Sequence, residues 1–300
     1  MREISRVFAG FLLTTCLAGC ATQAPTATPD VAAGVNPETW RPIPAGVFLQ
    51  GLHEENVLLD YDFEMMATDV TNAQYARFLE KAIADGSVRV DGDQVLGHYD
   101  GDVYHGAKHE ERIDAGDYAL AALADPGSHL RLDRDARTVT VDAGYDDHPM
   151  VMVTWFGARA YCAHFGWRLP TDAEWEKAAR GTDGRAYPWG DDVERNRANY
   201  YNSRDLFEQF ANSGADTTPV GFFNGQTIDG YATLDNASPY GLYDMAGNVW
   251  QWTGSIYEGA HYRSLRGGSK DTYGYNLRVF TVNNATPTYA SPGVGFRCAR

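Results

Sequence analysis

HPMVMVTWFGARAYCAHFGWRLPTDAEWEKAARG (residues 148–181) carries the clearest structural signals in the chain, because two helix patterns follow each other within it. In the first pattern, apolar side chains at helical spacing share one face: Ala158, Tyr161, Cys162 and Phe165. Gly166 then supplies a C-terminal stop. The pattern predicts a helix over 155–165 with Cys162 pointing inward.

The second pattern begins at Thr171, where Glu174 stands at the spacing of a capping box. Acidic residues occupy its first turn, Lys177 and Arg180 occupy its last turn, and Gly181 follows. Because these charges match the helix dipole, we predict a helix that begins at Thr171 and ends at Gly181.

A third helix is predicted from Thr71, with Gln74 at the capping-box position and a stop near Gly86. Its buried face consists of Tyr75, Phe78, Leu79 and Ala82. Short strands such as 46–51 and 138–142 alternate with turns rich in Gly, Asn, Asp and Pro. The pattern as a whole predicts an α+β fold with long loops.

Composition indicates one large globular domain over 40–300, which holds nearly all of the 7 Trp, 18 Tyr and 13 Phe residues. The chain has 40 acidic and 25 basic residues and a formal net charge of -15. Such a surface repels phosphates, so nucleic-acid binding is not expected.

The N-terminal segment is typical of a lipoprotein signal peptide. Arg2 and Arg6 precede an apolar run over 7–17 that is too short to span a bilayer, and small residues lead into Cys20. We predict cleavage after residue 19, lipidation of Cys20 and attachment to a membrane through the acyl chains. The alternative is an ordinary secretory signal with a chance cysteine.

Residues 20–39 are rich in Ala, Thr and Pro and contain almost no large apolar side chains, which predicts a flexible tether. Cys162 and Cys298 are then the two cysteines of the folded domain. In an exported protein this pair suggests a disulfide, with two unpaired buried thiols as the alternative.

Six segments, taken in order, resemble the signatures of the formylglycine-generating enzyme (sulfatase-modifying factor) family. They are VTNAQYARFL (70–79), the 148–181 stretch, YPWGD (187–191), YGLYDMAGNVWQW (240–252), LRGGS (265–269) and GFRCAR (295–300). The resemblance implies a loop-rich, single-domain variant of the C-type lectin fold and a structural disulfide between Cys162 and Cys298. By resemblance to Gram-negative lipoproteins, Ala21 favours the outer membrane, facing the periplasm or the surface.

The family's oxidase holds Cu(I) with two thiolates downstream of the GGS turn, because soft thiolates select Cu(I). The matching positions here are Thr272 and Leu277, or Gly274 for the second if one counts back from Pro287. None of these is a cysteine, so copper is not an expected cofactor. Ser269 and Arg278 keep family positions in the groove and are interpreted as a structural turn residue and a core-rim residue.

The resemblance also implies calcium as a candidate cofactor. One site would use four positions of a single loop, with an amide where the family has a carboxylate: Asp244, Gly247, Val249 and Gln251. The alternative there is a calcium-free turn held by hydrogen bonds. A second, weaker site would use Asn199, Tyr200, Asn212 and Gly214.

Residues 85–147 match nothing in the oxidases and are expected to form an elaborated loop region. Within them His105 and His109 stand four apart beside Glu110 and Glu111, a spacing that on a helix could hold a metal. His98 and His148 are candidate additional ligands. The alternative is a solvated, charged surface segment, because Gly106 weakens a helix there.

Three functions follow from these observations. The first is a binding or scaffolding protein that holds a peptide, a glycan or another envelope protein in the family's groove. The second is a divergent enzyme that uses a metal other than copper, such as iron, supported only by the histidine and acid cluster. The third is the copper oxidase itself, which the missing thiolates disfavour.

Overall fold

The structure is a computed structural model that describes residues 31–103, 111–201, 203–208, 216–257 and 261–300. Its three helices are α1 (Asn72–Asp85), α2 (Trp155–His164) and α3 (Asp172–Arg180). The strands are β1 (Trp40–Ile43), β2 (Gly46–Gln50), β3 (Glu55–Leu59), β4 (Phe63–Met66), β5 (Val88–Asp91), β6 (Gln94–Tyr99), β7 (Gly116–Ala121), β8 (Leu130–Asp133), β9 (Thr138–Val141), β10 (Thr227–Ile228), β11 (Tyr231–Ala232), β12 (Trp250–Ile256), β13 (Arg263–Arg266), β14 (Val282–Ala285) and β15 (Val294–Phe296). Short 3₁₀ turns occur at Arg195–Arg197 and Gly274–Leu277.

All three predicted helices are confirmed, and their ends lie where the capping residues indicate. Thr71 and Gln74 form both bonds of a capping box at α1, and Gly86 ends that helix in the left-handed region at φ 82°. Thr171 and Glu174 form the same box at α3.

The central sheet has the strand order β14-β13-β12-β15, in which β12 pairs antiparallel with β13 and parallel with β15. The main core packs against it and is strongly aromatic. Tyr75 stacks on Tyr161 with ring centroids 5.8 Å apart, and Phe296 of β15 meets Tyr161 edge-on at 5.4 Å. Trp252 of β12 lies in the same cluster and is fully buried.

The predicted disulfide is confirmed. Cys162 of α2 is bonded to Cys298, two residues beyond the end of β15, and their Cα atoms are 5.7 Å apart. Both cysteines are fully buried, so the bond ties α2 to the C-terminal segment inside the core.

A second core lies under α3 and contains Trp175 together with buried residues from β1, β2 and the loop before β12. The basic residues in the last turn of α3 are buried rather than solvated. Lys177 Nζ donates to the carbonyls of Pro44 and Gly46, and Arg180 donates to those of Leu49 and Gly51. These side chains therefore clamp the β2 hairpin to α3.

The 85–147 region was expected to be a loop region, and this expectation was incomplete because the region contains five strands. Strands β5, β6 and β7 form a sheet, and β8 and β9 form a hairpin. Their apolar side chains enter the main core, among them Val95, Leu120 and Leu130. Because the region completes the core, the protein forms one α+β domain over its described part.

No helix in the described ranges is long and apolar enough to cross a membrane.

Candidate functional site

The turn that follows β13, residues 267–278, contains the positions that the family resemblance aligns with the copper ligands. Gly267 and Gly268 have φ values of 94° and 75°, which suit glycine and let the chain fold back on itself. A Cβ atom on Gly268 would stand 3.1 Å from Thr272 Oγ1 and 3.2 Å from the carbonyl oxygen of Asn276. The turn is therefore tightly closed.

The Thr272 side chain closes this turn. Its hydroxyl donates to the carbonyl of Ser269 at 2.8 Å and accepts from the Ser269 N–H at 3.0 Å. Its own carbonyl accepts from the N–H of Tyr201 at 2.9 Å. Ser269 is buried, and its Oγ accepts from the N–H of Asp271 at 3.3 Å, in keeping with the interpretation of Ser269 as a turn residue.

Leu277 and Gly274 offer no ligand for a soft metal ion. Leu277 is fully buried in a small apolar cluster with Tyr187, Ala198 and Tyr200. Gly274 has no side chain, and a Cβ added there would come 3.1 Å from Val193. Arg278, the next residue after Leu277, is exposed. The donor set of the turn therefore does not fit Cu(I).

Asn248 joins the turn to the neighbouring 217–218 segment. Its carbonyl accepts from the N–H of Lys270 at 2.9 Å. Its side chain bonds both backbone groups of Thr218, with Oδ1 accepting at 3.0 Å and Nδ2 donating at 3.1 Å. Asn248 itself has φ 65°, which asparagine tolerates better than most residues.

Polar side chains next to this segment form a second group, which contains His129, Tyr145, His148 and Asp216. His129 stacks on Tyr145 with ring centroids 3.6 Å apart, and the Tyr145 hydroxyl donates to Asp216 at 2.5 Å. His148 Nδ1 lies 2.8 Å from Thr217 Oγ1. Burial lowers the pKa of His129, and it lowers the pKa of the more deeply buried His148 to about 3. Both imidazoles are therefore neutral at physiological pH.

The first candidate calcium loop is held together by protein hydrogen bonds. Gln251 Oε1 accepts from Trp175 Nε1 at 2.7 Å and from Arg297 Nε at 2.9 Å, and its Nε2 donates to the carbonyl of Asp244 at 2.7 Å. Asp244 Oδ2 accepts from the N–H of Gly221 at 2.6 Å, and burial raises the pKa of this carboxyl. These contacts favour the hydrogen-bonded alternative, because the polar atoms of Gln251 are already engaged.

Gly247 of the same loop lies close to the second candidate site, whereas Val249 packs elsewhere. A Cβ atom on Gly247 would come 2.4 Å from the carbonyl oxygen of Asn199, so only glycine allows this approach. Val249 is fully buried beside Val151 and Met152.

The second candidate site keeps a free oxygen. Asn199 is buried, its Nδ2 donates to the carbonyl of Asp216 at 2.8 Å, and its Oδ1 has no partner within the described ranges. The carbonyl of Tyr200 accepts from the N–H of Ser203 at 2.9 Å. Asn212 and Gly214 lie outside the described residues. Of this set, therefore, only Asn199 Oδ1 is shown to lack a partner within the described ranges.

Three exposed tyrosines cluster here: Tyr273 and Tyr275 lie within the turn, and Tyr201 of the neighbouring segment contacts Tyr273. The sequence did not predict this group, nor the group formed by His129, Tyr145 and Asp216. Both sets come from loops far apart in the chain, and isolated tyrosines or histidines without periodicity carry no local signal.

The histidine pair proposed from the sequence, His105 and His109, lies outside the described residues. The adjacent Glu111 bonds His261 at 2.5 Å, and His98 bonds Asp117 on the neighbouring strand at 3.0 Å. His148, the other candidate ligand, is turned into the core against Phe207. Among the described residues, no group of three or more His, Cys, Asp or Glu side chains is placed to hold a metal ion. Cys20 and the predicted signal peptide also lie outside the described ranges.

Known proteins are similar to this chain in sequence and in fold. Residues 29–300 match the sulfatase-modifying factor enzyme 1-like domain. The inactive C-alpha-formylglycine-generating enzyme 2 of Bos taurus is 40% identical over 161 residues, which make up 51% of this chain and 50% of that protein. The formylglycine-generating enzyme of Streptomyces coelicolor is 33% identical over 261 residues, 79% of this chain and 77% of that protein.

The solved structure of PvdO from Pseudomonas aeruginosa aligns with a TM-score of 0.58 at 19% identity, covering 92% of this chain and 99% of that one. This likeness confirms the C-type-lectin-like fold of the formylglycine-generating enzyme type. The chain spans about half the length of some curated relatives, among them the inactive bovine protein. From the match over 29–300, the chain belongs to the family of sulfatase-modifying factor enzyme 1-like domains.

Proposed function

We propose that this protein is a lipid-anchored component of the cell envelope whose sulfatase-modifying-factor-type domain binds a ligand without copper oxidase chemistry. The observation that carries the proposal is the environment of the two residues that match the copper positions. The Thr272 hydroxyl is hydrogen-bonded to the backbone of Ser269, and Leu277 is buried among apolar side chains. Neither residue can present a thiolate to the groove.

Other sulfur atoms of the chain do not replace the missing pair. Cys162 and Cys298 are bonded to each other in the core. Thioethers can also hold Cu(I), but the methionines of the described ranges are all buried in apolar clusters: Met65, Met66, Met150, Met152 and Met245. Within the described residues, therefore, no thiolate or exposed thioether is available to replace the missing pair.

A relative supports the same proposal. The bovine protein that is 40% identical over half of this chain is named an inactive C-alpha-formylglycine-generating enzyme. The family fold thus occurs in a protein designated inactive, and a binding role for this chain is compatible with it.

Competition for Cu(I) tests the proposal directly. The purified protein is titrated into a coloured Cu(I)–chelator complex, with the Streptomyces coelicolor enzyme as the positive reference. We expect no withdrawal of copper from the chelator, because the turn offers hydroxyl, amide and aliphatic groups. Withdrawal of one equivalent would contradict the proposal.

The lipid anchor is a separate part of the proposal and rests on the residues that lead into Cys20. We expect the protein to fractionate with membranes, specifically the outer membrane, and to carry acyl chains at Cys20. A Cys20→Ser variant should be released in soluble form and lack lipid. A variant that stays membrane-bound and acylated would show that the anchor lies elsewhere.

Calcium at Asn199 is a further element of the proposal, supported by the buried, unpartnered Oδ1 of that residue. Binding to the folded state raises the melting temperature, so added calcium should stabilise the native protein relative to a chelator-treated sample. Asn199→Leu should abolish this difference. Equal melting temperatures of the native protein in both conditions would rule the site out.

A further inference from the structure

Three tyrosines at this turn are highly exposed to solvent. Tyr273 and Tyr275 are each 59% exposed and Tyr201 is 55% exposed, whereas the next most exposed tyrosine of the described ranges, Tyr289, is at 46%. Tyrosine is enriched where a protein meets a partner, because its ring is apolar and its hydroxyl forms hydrogen bonds. A cluster of such rings on one turn therefore points to a ligand.

The three rings form one group on a fixed base. Tyr201 and Tyr273 meet edge-to-face, with centroids 5.1 Å apart and 65° between their planes. Tyr273 and Tyr275 lie 6.3 Å apart with their planes only 8° from parallel. The N–H of Tyr201 bonds the Thr272 carbonyl, and the Tyr273 carbonyl accepts from the N–H of Asn276 at 2.9 Å. Buried Leu277 anchors the same segment from below. Such pre-organisation lowers the entropic cost of binding.

We propose that Tyr201, Tyr273 and Tyr275 are a carbohydrate-binding platform that stacks against the sugar rings of a neutral polysaccharide. This inference rests on the proposed binding function and names its ligand class. Flat aromatic faces match the apolar C–H faces of pyranose rings, and the phenol hydroxyls can bond the sugar hydroxyls at the edges. A neutral chain is also not repelled by a protein with a net charge of -15.

The size of the platform favours a glycan over a protein partner. A tyrosine buries about 150–250 Å² when fully covered, so three half-exposed rings offer roughly 300–400 Å². A stable protein–protein interface takes about 800 Å² from each partner. A short run of sugar units fits the smaller area.

Affinity electrophoresis on the full chain tests this platform. The acidic protein migrates towards the anode in native gels, and we expect gels that contain glycol chitin or hydroxyethyl cellulose to slow it. The paired variant Tyr273→Ala with Tyr275→Ala should bind at least tenfold more weakly. The paired Tyr→Phe variant keeps both rings and should remain within about threefold of the native affinity.

Tyr262→Ala is the matched control, because Tyr262 is 36% exposed, lies just before β13 at the end away from the turn, and packs at a tilt against His261. It should be slowed as much as the native protein. Equal urea midpoints for all variants exclude loss of folding as the cause. Equal retardation of the native protein and the Ala pair would overturn the platform. The platform would also be overturned if neither polysaccharide slowed the native protein, a result that would favour a protein partner instead. Neither result bears on copper, so the two proposals fail separately.

Discussion

At the level of single residues, Thr272, which the family resemblance aligns with a copper ligand, has a structural role in this fold. Its hydroxyl makes two hydrogen bonds to the backbone of Ser269. Thr272→Val keeps the shape and removes both bonds, so it should lower the free energy of unfolding by about 1–2 kcal/mol in urea. Thr182→Val, at an exposed position, should change it by less than about 0.5 kcal/mol. Equal values for the two variants would mean that the Thr272 bonds contribute nothing.

The burial of His148 makes the stability of the protein depend on pH, and the lowered pKa fixes the sign of that dependence. Burial lowers its pKa to about 3, against an ordinary value of 6.5. The unfolded chain therefore binds the extra proton between these values, and stability falls as the pH drops below about 6.5, by up to about 1.4 kcal/mol per pH unit.

We expect His148→Asn, which can keep a bond to Thr217, to flatten the plot of unfolding free energy against pH between 6.5 and 4. His98→Asn, at an exposed site, should leave the slope as it is. Identical slopes for the native protein and His148→Asn would refute the assignment.

At the level of elements, the start of α3 depends on one carboxylate. Glu174 is fully buried and accepts from both terminal nitrogens of Arg168, from the Thr171 N–H and from the Tyr61 hydroxyl. Burial by itself raises its pKa, but the bonds from Arg168 and Thr171 outweigh it and hold the pKa below the usual value. The carboxylate therefore stabilises the fold above its unfolded pKa, and this contribution is lost as the pH falls through the folded pKa.

Glu174→Gln should lower the free energy of unfolding at neutral pH by about 1.5–3 kcal/mol, because charge-assisted bonds are lost in a buried place. The control is Glu194→Gln, which breaks a surface pair with Arg197 and should cost less than about 1 kcal/mol. Denaturant titrations of both variants decide the matter. A smaller loss in Glu174→Gln than in the control would be the contrary result.

The helices could be predicted from the sequence because their signals are local, as the capping boxes at Thr71 and Thr171 show. Of the strands between α1 and α2, the one at 138–142 (β9) was predicted, whereas the pairing of β6 with β7 could not be, because it joins residues on either side of a long intervening segment. Strand β6 pairs with β7 from Tyr99 opposite Gly116 to Val95 opposite Ala121, across a segment rich in charge. Lys177 was interpreted only as a charge that suits the helix dipole at the end of α3. Its burial could not be predicted, because it depends on contacts with the β2 hairpin.

At the level of the whole molecule, the disulfide holds two distant parts of the core together. Cys162 and Cys298 are 136 residues apart in sequence, so the bond removes much conformational freedom from the unfolded chain. Replacing both with alanine should lower the free energy of unfolding by about 2–5 kcal/mol. Reducing agent should destabilise the native protein and leave the variant unchanged. Two freely alkylated thiols in the native protein would contradict the bond.

The candidate site was predictable only in part. The GGS motif located the turn, and the absence of cysteine at Thr272 and Leu277 was evident from the sequence. The closing of the turn by the Thr272 hydroxyl and the grouping of Tyr201 with Tyr273 depend on contacts between separate loops. Such contacts appear only when the whole chain is folded.

The central claim is that this family member does not carry out the copper oxidation, and one measurement tests it most directly. The purified protein is incubated with Cu(I), O2 and a peptide that carries a sulfatase-type cysteine, and the peptide is then analysed by mass spectrometry. We predict no aldehyde above the copper-only control, while the Streptomyces coelicolor enzyme under the same conditions serves as the positive reference. Formation of the aldehyde by the native protein above that control would contradict the account.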